Sequence, residues 1–71
     1  MQYNIIERLA KLRASGHKVY AVDVVRELRK RHITVNSADF SRFVNGVEDP
    51  PRSELILSEA DKIITEWEAQ E

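Results

Sequence analysis

The sequence predicts an all-α fold, a compact bundle of four helices, and three observations lead there. Apolar residues recur at helical spacing in four separate stretches. No stretch alternates apolar and polar residues with the period of two that a half-buried strand requires. Gly16, Gly46 and Pro50-Pro51 fall between stretches rather than inside them. The expected helices run over about 5–15, 21–33, 37–45 and 51–69, with residues 1–71 forming one domain.

The first helix begins at Asn4-Ile5-Ile6-Glu7, which has the form of a capping box with Asn4 as N-cap and Glu7 reaching back. Ile5, Ile6, Leu9 and Leu12 make its apolar stripe, and Gly16 stops it. For the second, Val19 and Val24 are spaced as a hydrophobic staple about a cap near Tyr20, with Asp23 in the first turn. Val24, Val25, Leu28 and Ile33 form the face to be buried. Val22, Val24 and Val25 are β-branched, but Arg26-Glu27-Leu28-Arg29-Lys30-Arg31 continues with strong helix formers and no alternation, which favours helix. The basic run 29–32 suits the negative end of a helix and needs no ligand to explain it.

The third helix is short and self-contained. Asn36 is a good N-cap, Asp39 sits in the first turn, and Asn45-Gly46 ends it. Val35, Phe40, Phe43 and Val44 turn to one side, which leaves Ser37, Ala38, Ser41 and Arg42 on the other. After the loop 47–51, in which Asp49 can cap and Pro fits the first helical position, Leu55, Ile56, Ala60, Ile63, Ile64 and Trp67 recur to the end of the last helix. A break near Ser53 or Ser58 would make five helices of four.

Composition narrows the function classes. The chain is 71 residues long with 42% hydrophobic and 32% charged residues, which suits one small globular core. It has no Cys, hence no disulfide, thiolate metal site or cysteine nucleophile. No apolar run has the length of a membrane span, and no signal-peptide core is present, so a cytoplasmic protein is expected. The net charge of -1 hides an asymmetry: residues 1–47 carry nine Lys/Arg against four acids, a net of +5, and residues 48–71 carry two against eight, a net of -6. Such a split suggests one face for an anionic partner and another for solvent or a basic one.

Catalytic constellations are missing. His17 and His32 are 15 residues apart with no matching ligand pattern for zinc, and no serine has a His or Lys at a spacing that predicts a nucleophile and its base. The two glycines lie 30 residues apart, so no phosphate-cradling loop is expected. The expectation is a protein that is not an enzyme and uses no cofactor or metal.

The stretch Val35-Asn36-Ser37-Ala38-Asp39-Phe40-Ser41-Arg42-Phe43-Val44-Asn45-Gly46 resembles the recognition-helix motif of the lambda-repressor/Cro family of helix-turn-helix DNA-binding proteins. The resemblance is specific at Ser41-Arg42 and Asn45-Gly46; Val24, Val25 and Leu28 loosely match the first helix of the motif, and the likeness extends over about residues 5–65. It implies duplex binding with the helix from Ser37 in the major groove. Ser37, Ala38 and Arg42 match base-contacting positions, with Arg42 suited to guanine. Tyr20, Asn36, Ser41, Asn45 and Arg31 fall where the DNA backbone would be met. Ala21 stands where the family often has Gln. The link from Leu28 to Val35 is longer than the family's short Leu-Gly-Val turn, so either the second helix is longer by more than a turn or the link is an unusual loop. Pairing Ile33 with the family's Leu favours the helix extended to residue 33, with Thr34 in place of Gly. Asp39 lies near the presumed DNA surface and would repel it unless held within the protein, and Glu48 and Asp49 stand where the family often has a basic residue.

The expected function is therefore a small transcriptional regulator of the phage or prophage repressor type. Binding to operator DNA as a homodimer is expected from energetics, with Ile63, Ile64 and Trp67 as candidate dimer or partner contacts. The alternative is a modulator or antirepressor on the same scaffold, docking another regulator protein through its acidic C-terminal half.

Overall fold

Four helices account for the regular structure: α1 (Ile5–Ala14), α2 (Ala21–Lys30), α3 (Ser37–Val44) and α4 (Arg52–Glu68). The structure is a computed structural model and describes residues 3–70, among which there is no strand. The long α4 is the common support, with α1, α2 and α3 all packed on it and α3 also packed on α2. Ala60 on α4 is fully buried, and its small side chain leaves room for close packing at the centre of that contact. Around it lie Ile56, Ile63 and Ile64 of the same helix, with Leu9 and Leu12 from α1, Val24, Val25 and Leu28 from α2, and Phe40 and Phe43 from α3. The Cα radius of gyration is 11.4 Å, close to the value of about 11 Å for a compact chain of this length. No helix among the described residues is long and apolar enough to cross a membrane.

Three helices end in the same way. In each, the residue after the C-cap is left-handed, and the next two amides fold back on the last carbonyls in a Schellman arrangement. After α1, Gly16 has φ +100°, and the amides of Gly16 and His17 donate to the carbonyls of Arg13 and Leu12. After α3, Gly46 has φ +102°, and the amides of Gly46 and Val47 donate to the carbonyls of Phe43 and Arg42. After α2 the position belongs to His32, with φ +65°, and the amides of His32 and Ile33 donate to the carbonyls of Arg29 and Leu28.

This ending corrects the extended second helix. α2 stops at Lys30, three residues before the expected end, and residues 31–36 form the link to α3. Ile33 still reaches the core as a partly buried side chain, but from the loop and not from the helix. The apolar spacing from Leu28 to Ile33 marked burial correctly and backbone conformation wrongly.

The caps divide similarly. Asn36 caps α3 as expected, its Oδ1 accepting from the Asp39 amide at 2.7 Å. At α2, the Asp23 carboxylate accepts from the Tyr20 amide at 2.8 Å, so the first turn is closed from inside the helix, with no cap hydrogen bond from the Tyr20 side chain. Val19 packs against the core that holds Val24, in keeping with a staple. The capping box at α1 is not formed. Asn4 is left-handed, with φ 53°, and its side chain makes no cap bond, because a capping side chain needs an extended backbone at that position. Asp49 does not cap α4 either. There Ser53, buried, uses its Oγ to accept from the Asp49 amide at 3.0 Å, and Pro51 occupies the N-cap after a cis Pro50–Pro51 peptide. α4 runs without a break through Ser53 and Ser58.

Two expected core residues lie outside. Ile6 and Leu55 are 50% and 55% exposed. Each sits at the edge of its helical stripe, and no neighbouring helix covers that edge; Leu57 packs partly against the core instead.

The acidic end of α4 is largely occupied within the molecule. Arg8 on α1 is ion-paired with Asp61 and, at 2.7 Å, with Glu68, and it donates to Thr65 Oγ1 at 3.0 Å. These bonds outweigh partial burial and raise the Arg8 pKa above its already high ordinary value. In return, the hydrogen bond from Arg8 holds the Glu68 carboxyl below its usual range. Arg31, at the end of α2, is ion-paired with Glu66.

Candidate nucleic-acid interface

The outward face of α3 follows from which of its residues the core takes. Phe40 and Phe43 are 0% and 3% exposed, which fixes the rotation of the helix about its axis. Ser37, Ala38, Ser41, Arg42 and Asn45 consequently lie exposed together, with the cap Asn36 exposed at their N-terminal end. This is the grouping expected of the base-contacting residues Ser37, Ala38 and Arg42 and of their neighbours Asn36, Ser41 and Asn45. The Asn45 amide donates to the Ser41 carbonyl at 2.7 Å, so this side chain is partly committed to its own helix.

Asp39 is the residue that decides the electrostatics of this face. Its side chain is 22% exposed, with Oδ1 accepting from Arg42 Nη2 at 2.7 Å and Oδ2 from Arg52 Nη1 at 3.4 Å. Two guanidinium groups against one carboxylate leave a local balance of one positive charge. Arg52 also lies over the Phe43 ring, 5.5 Å from its centroid. The Arg42–Asp39 pair is one turn apart on an exposed helix surface, and such pairs contribute about 0.3–0.5 kcal/mol. The Arg42 guanidinium is therefore only weakly held by Asp39, and Arg52 can remain on the carboxylate if Arg42 turns away.

The other expected backbone contacts separate into two kinds. Tyr20 is 55% exposed at the start of α2. The Arg13 guanidinium lies over its ring, 4.8 Å from the centroid, and donates to the Val19 carbonyl at 2.9 Å. Arg31, by contrast, is turned to α4 and Glu66, so a phosphate contact would have to displace that pair. Among the candidate partner contacts, Ile63 and Ile64 are 1% and 0% exposed. Their side chains pack the core and offer no surface to a second molecule. Trp67 is partly buried against the same core.

Arg13 and Arg52 belong to this region and escaped the reading of the sequence. Arg13 reaches Tyr20 only because the Gly16 turn folds the chain back, and Arg52 reaches Asp39 across 13 residues of chain. Neither contact has a local signature. No group of His, Cys, Asp or Glu that could hold a metal ion occurs among the described residues.

The chain matches no family model, no curated protein and no solved structure. The likeness to the lambda-repressor/Cro motif thus rests on residues 35–46 and the positions around them.

Proposed function

We propose that the protein binds duplex DNA in a sequence-specific manner, as a small transcriptional regulator of the phage or prophage repressor type. In this reading α2 and α3 act as a helix-turn-helix, with the N-terminal part of α3 in the major groove. The observation that carries it is the outward face of α3: small and polar at Ser37, Ala38 and Ser41, positive at Arg42, and with its one carboxylate, Asp39, held by Arg42 and Arg52. The link between the two helices, residues 31–36, is longer than the three or four residues usual in this motif. Its extra length is taken up by the turn at His32 and by Ile33 returning to the core.

Arg42 is assigned to a base, Ser37 and Ala38 to neighbouring base edges, and Asn36, Ser41, Asn45 and Tyr20 to the sugar-phosphate backbone. Binding as a homodimer to two half-sites follows from energetics, since one such module covers little DNA. The dimer surface is not assigned to Ile63 or Ile64, which the core consumes.

Selection from a random duplex library, with Arg42→Ala as control, tests the proposal. A motif should emerge for the wild type, and the variant should lose about 1–3 kcal/mol of affinity and relax one position. Binding should also weaken as salt is raised, through release of counterions. A wild type that selects no motif, or an Arg42→Ala variant that binds the selected site unchanged, overturns the assignment.

The modulator reading, with docking through the acidic C-terminal half, is narrowed by the ion pairs of α4. Asp61, Glu66 and Glu68 are engaged by Arg8 and Arg31. Among the described residues of this half, the acids without an ion pair are Glu48, Asp49 and Glu54, at the start of α4 and in the loop before it.

A further inference from the structure

A groove of about 1030 Å³ runs between the start of α1, the end of α3 and the start of α4. Three large apolar side chains stand exposed on it: Ile6, Val47 and Leu55, at 50%, 50% and 55%. They come from three separate segments and converge only in the folded chain. Glu7, Glu48 and Glu54 also line it, and no Lys or Arg does. None of these three glutamates forms an ion pair among the described residues, whereas the acids at the far end of α4 do. Isolated exposed apolar residues are ordinary, but a contiguous patch with a rim of one charge is the form of an interaction surface.

We propose that this groove docks a basic amphipathic helix of another protein. The charge selects the class of occupant. A second copy placed symmetrically on the groove would set the same glutamates against each other, which is unfavourable at an interface. A nucleic acid is excluded by the same sign. A helix that presents Leu or Ile along one stripe, flanked by Lys or Arg, answers both features at once. The helical form follows from the walls. The groove has no strand edge to pair with an extended peptide, and apolar side chains cannot satisfy its amides and carbonyls, whereas a helix satisfies its own. The surface is separate from the base-contacting residues assigned above, since Ser37, Ala38 and Arg42 do not line it. The two surfaces meet at Asn45, which is assigned to the DNA backbone and also lines the groove at its α3 end.

The probe is a synthetic peptide of about 18 residues, long enough for roughly five helical turns, with Leu at positions i, i+3, i+4 and i+7 and Lys beside them. A control peptide keeps the Leu stripe and carries Glu in place of Lys. Titration of the isotopically labelled full chain, followed by NMR and by calorimetry, should show the Lys peptide binding at least about tenfold more tightly than the Glu peptide, a margin of about 1.4 kcal/mol. Resonance shifts should centre on Ile6, Val47 and Leu55. Leu55→Gln and the pair Glu48→Lys with Glu54→Lys should each weaken binding at least about tenfold, while Glu66→Lys, a single charge reversal of the same kind elsewhere on α4, should alter it less than about twofold. Since Leu55, Glu48 and Glu54 are all exposed, these variants should keep the wild-type helical spectrum. Equal binding of the two peptides, shifts centred on another face, or equal loss with Glu66→Lys overturns the proposal. Self-association of the free chain that Leu55→Gln abolishes would also overturn it, by assigning the groove to a second copy.

Discussion

His32 occupies, after α2, the left-handed position that Gly16 and Gly46 occupy after α1 and α3. A side chain there crowds the backbone at a cost of about 1–2 kcal/mol, part of which glycine gives back through its greater freedom when unfolded. His32→Gly is therefore expected to raise stability by up to about 1 kcal/mol, read as a higher urea midpoint with unchanged slope. The reverse experiment is Gly46→Ala. A Cβ built on Gly46 meets nothing within 4 Å, so its cost is that of the backbone alone, offset by the same unfolded-state freedom, a loss of up to about 1 kcal/mol in the same measurement. Asn36→Ala removes a cap whose side-chain bond is in place and should cost about 1 kcal/mol. If α3 is the reading helix, that loss should appear in DNA affinity as well, since a frayed first turn misplaces Ser37 and Ala38.

Among elements, α4 is tied to α1 by charge as well as by apolar packing. Glu68 is held below its usual range by Arg8, so the folded state retains its negative charge to lower pH than the unfolded chain does. The stability it contributes is present above its ordinary pKa of 4.5 and is lost as the pH falls through its lower folded value. Its side chain is 41% exposed, and solvent keeps the contribution modest, under about 1 kcal/mol. Urea midpoints measured between neutral pH and pH 3 should fall less steeply for Glu68→Gln than for the wild type; parallel curves would show that the pair contributes nothing measurable. Ile6 and Leu55 illustrate the limit of reading an element by itself. A helical stripe identifies a band of candidates for burial, and only the neighbouring helix decides where its covered edge falls.

At the scale of the whole molecule, Phe40 contributes the largest fully buried side chain and joins α3 to a core shared by all four helices. Phe40→Ala should cost about 3–5 kcal/mol. A domain of this size has a total stability of only about 4–11 kcal/mol, so the variant is expected to melt far below the wild type by circular dichroism, or to be largely unfolded. Arg42→Ala, on an exposed face, should leave the melting temperature nearly unchanged while altering DNA binding. That contrast separates residues that build the scaffold from those proposed to act on it. The charge asymmetry also changes meaning at this scale. Arg8 and Arg31 belong to the basic part of the sequence, yet they lie on acids of α4, so part of the apparent polarity is internal neutralisation.

Four helices, the glycine stops of α1 and α3 and the buried faces of α2 and α3 were legible in the sequence, because each is a local matter of 3.6-residue spacing, a cap, a glycine or a short link. Asn36, Phe40, Phe43 and Gly46 belong to that class, and together they place Ser37, Ala38, Ser41 and Arg42 outward. The end of α2 at Lys30 was not legible, since the left-handed turn there is made by a histidine, which carries no strong local signal for it. Nor were Arg52 on Asp39, Arg13 over Tyr20, Arg31 on Glu66, or the meeting of Ile6, Val47 and Leu55 in one groove. Those contacts join residues through turns or across separate segments, and they come into being only when the helices dock. Local apolar spacing set which faces seek burial; the packing of α1, α2 and α3 on α4 settled which charges are consumed inside the molecule and which remain for a partner.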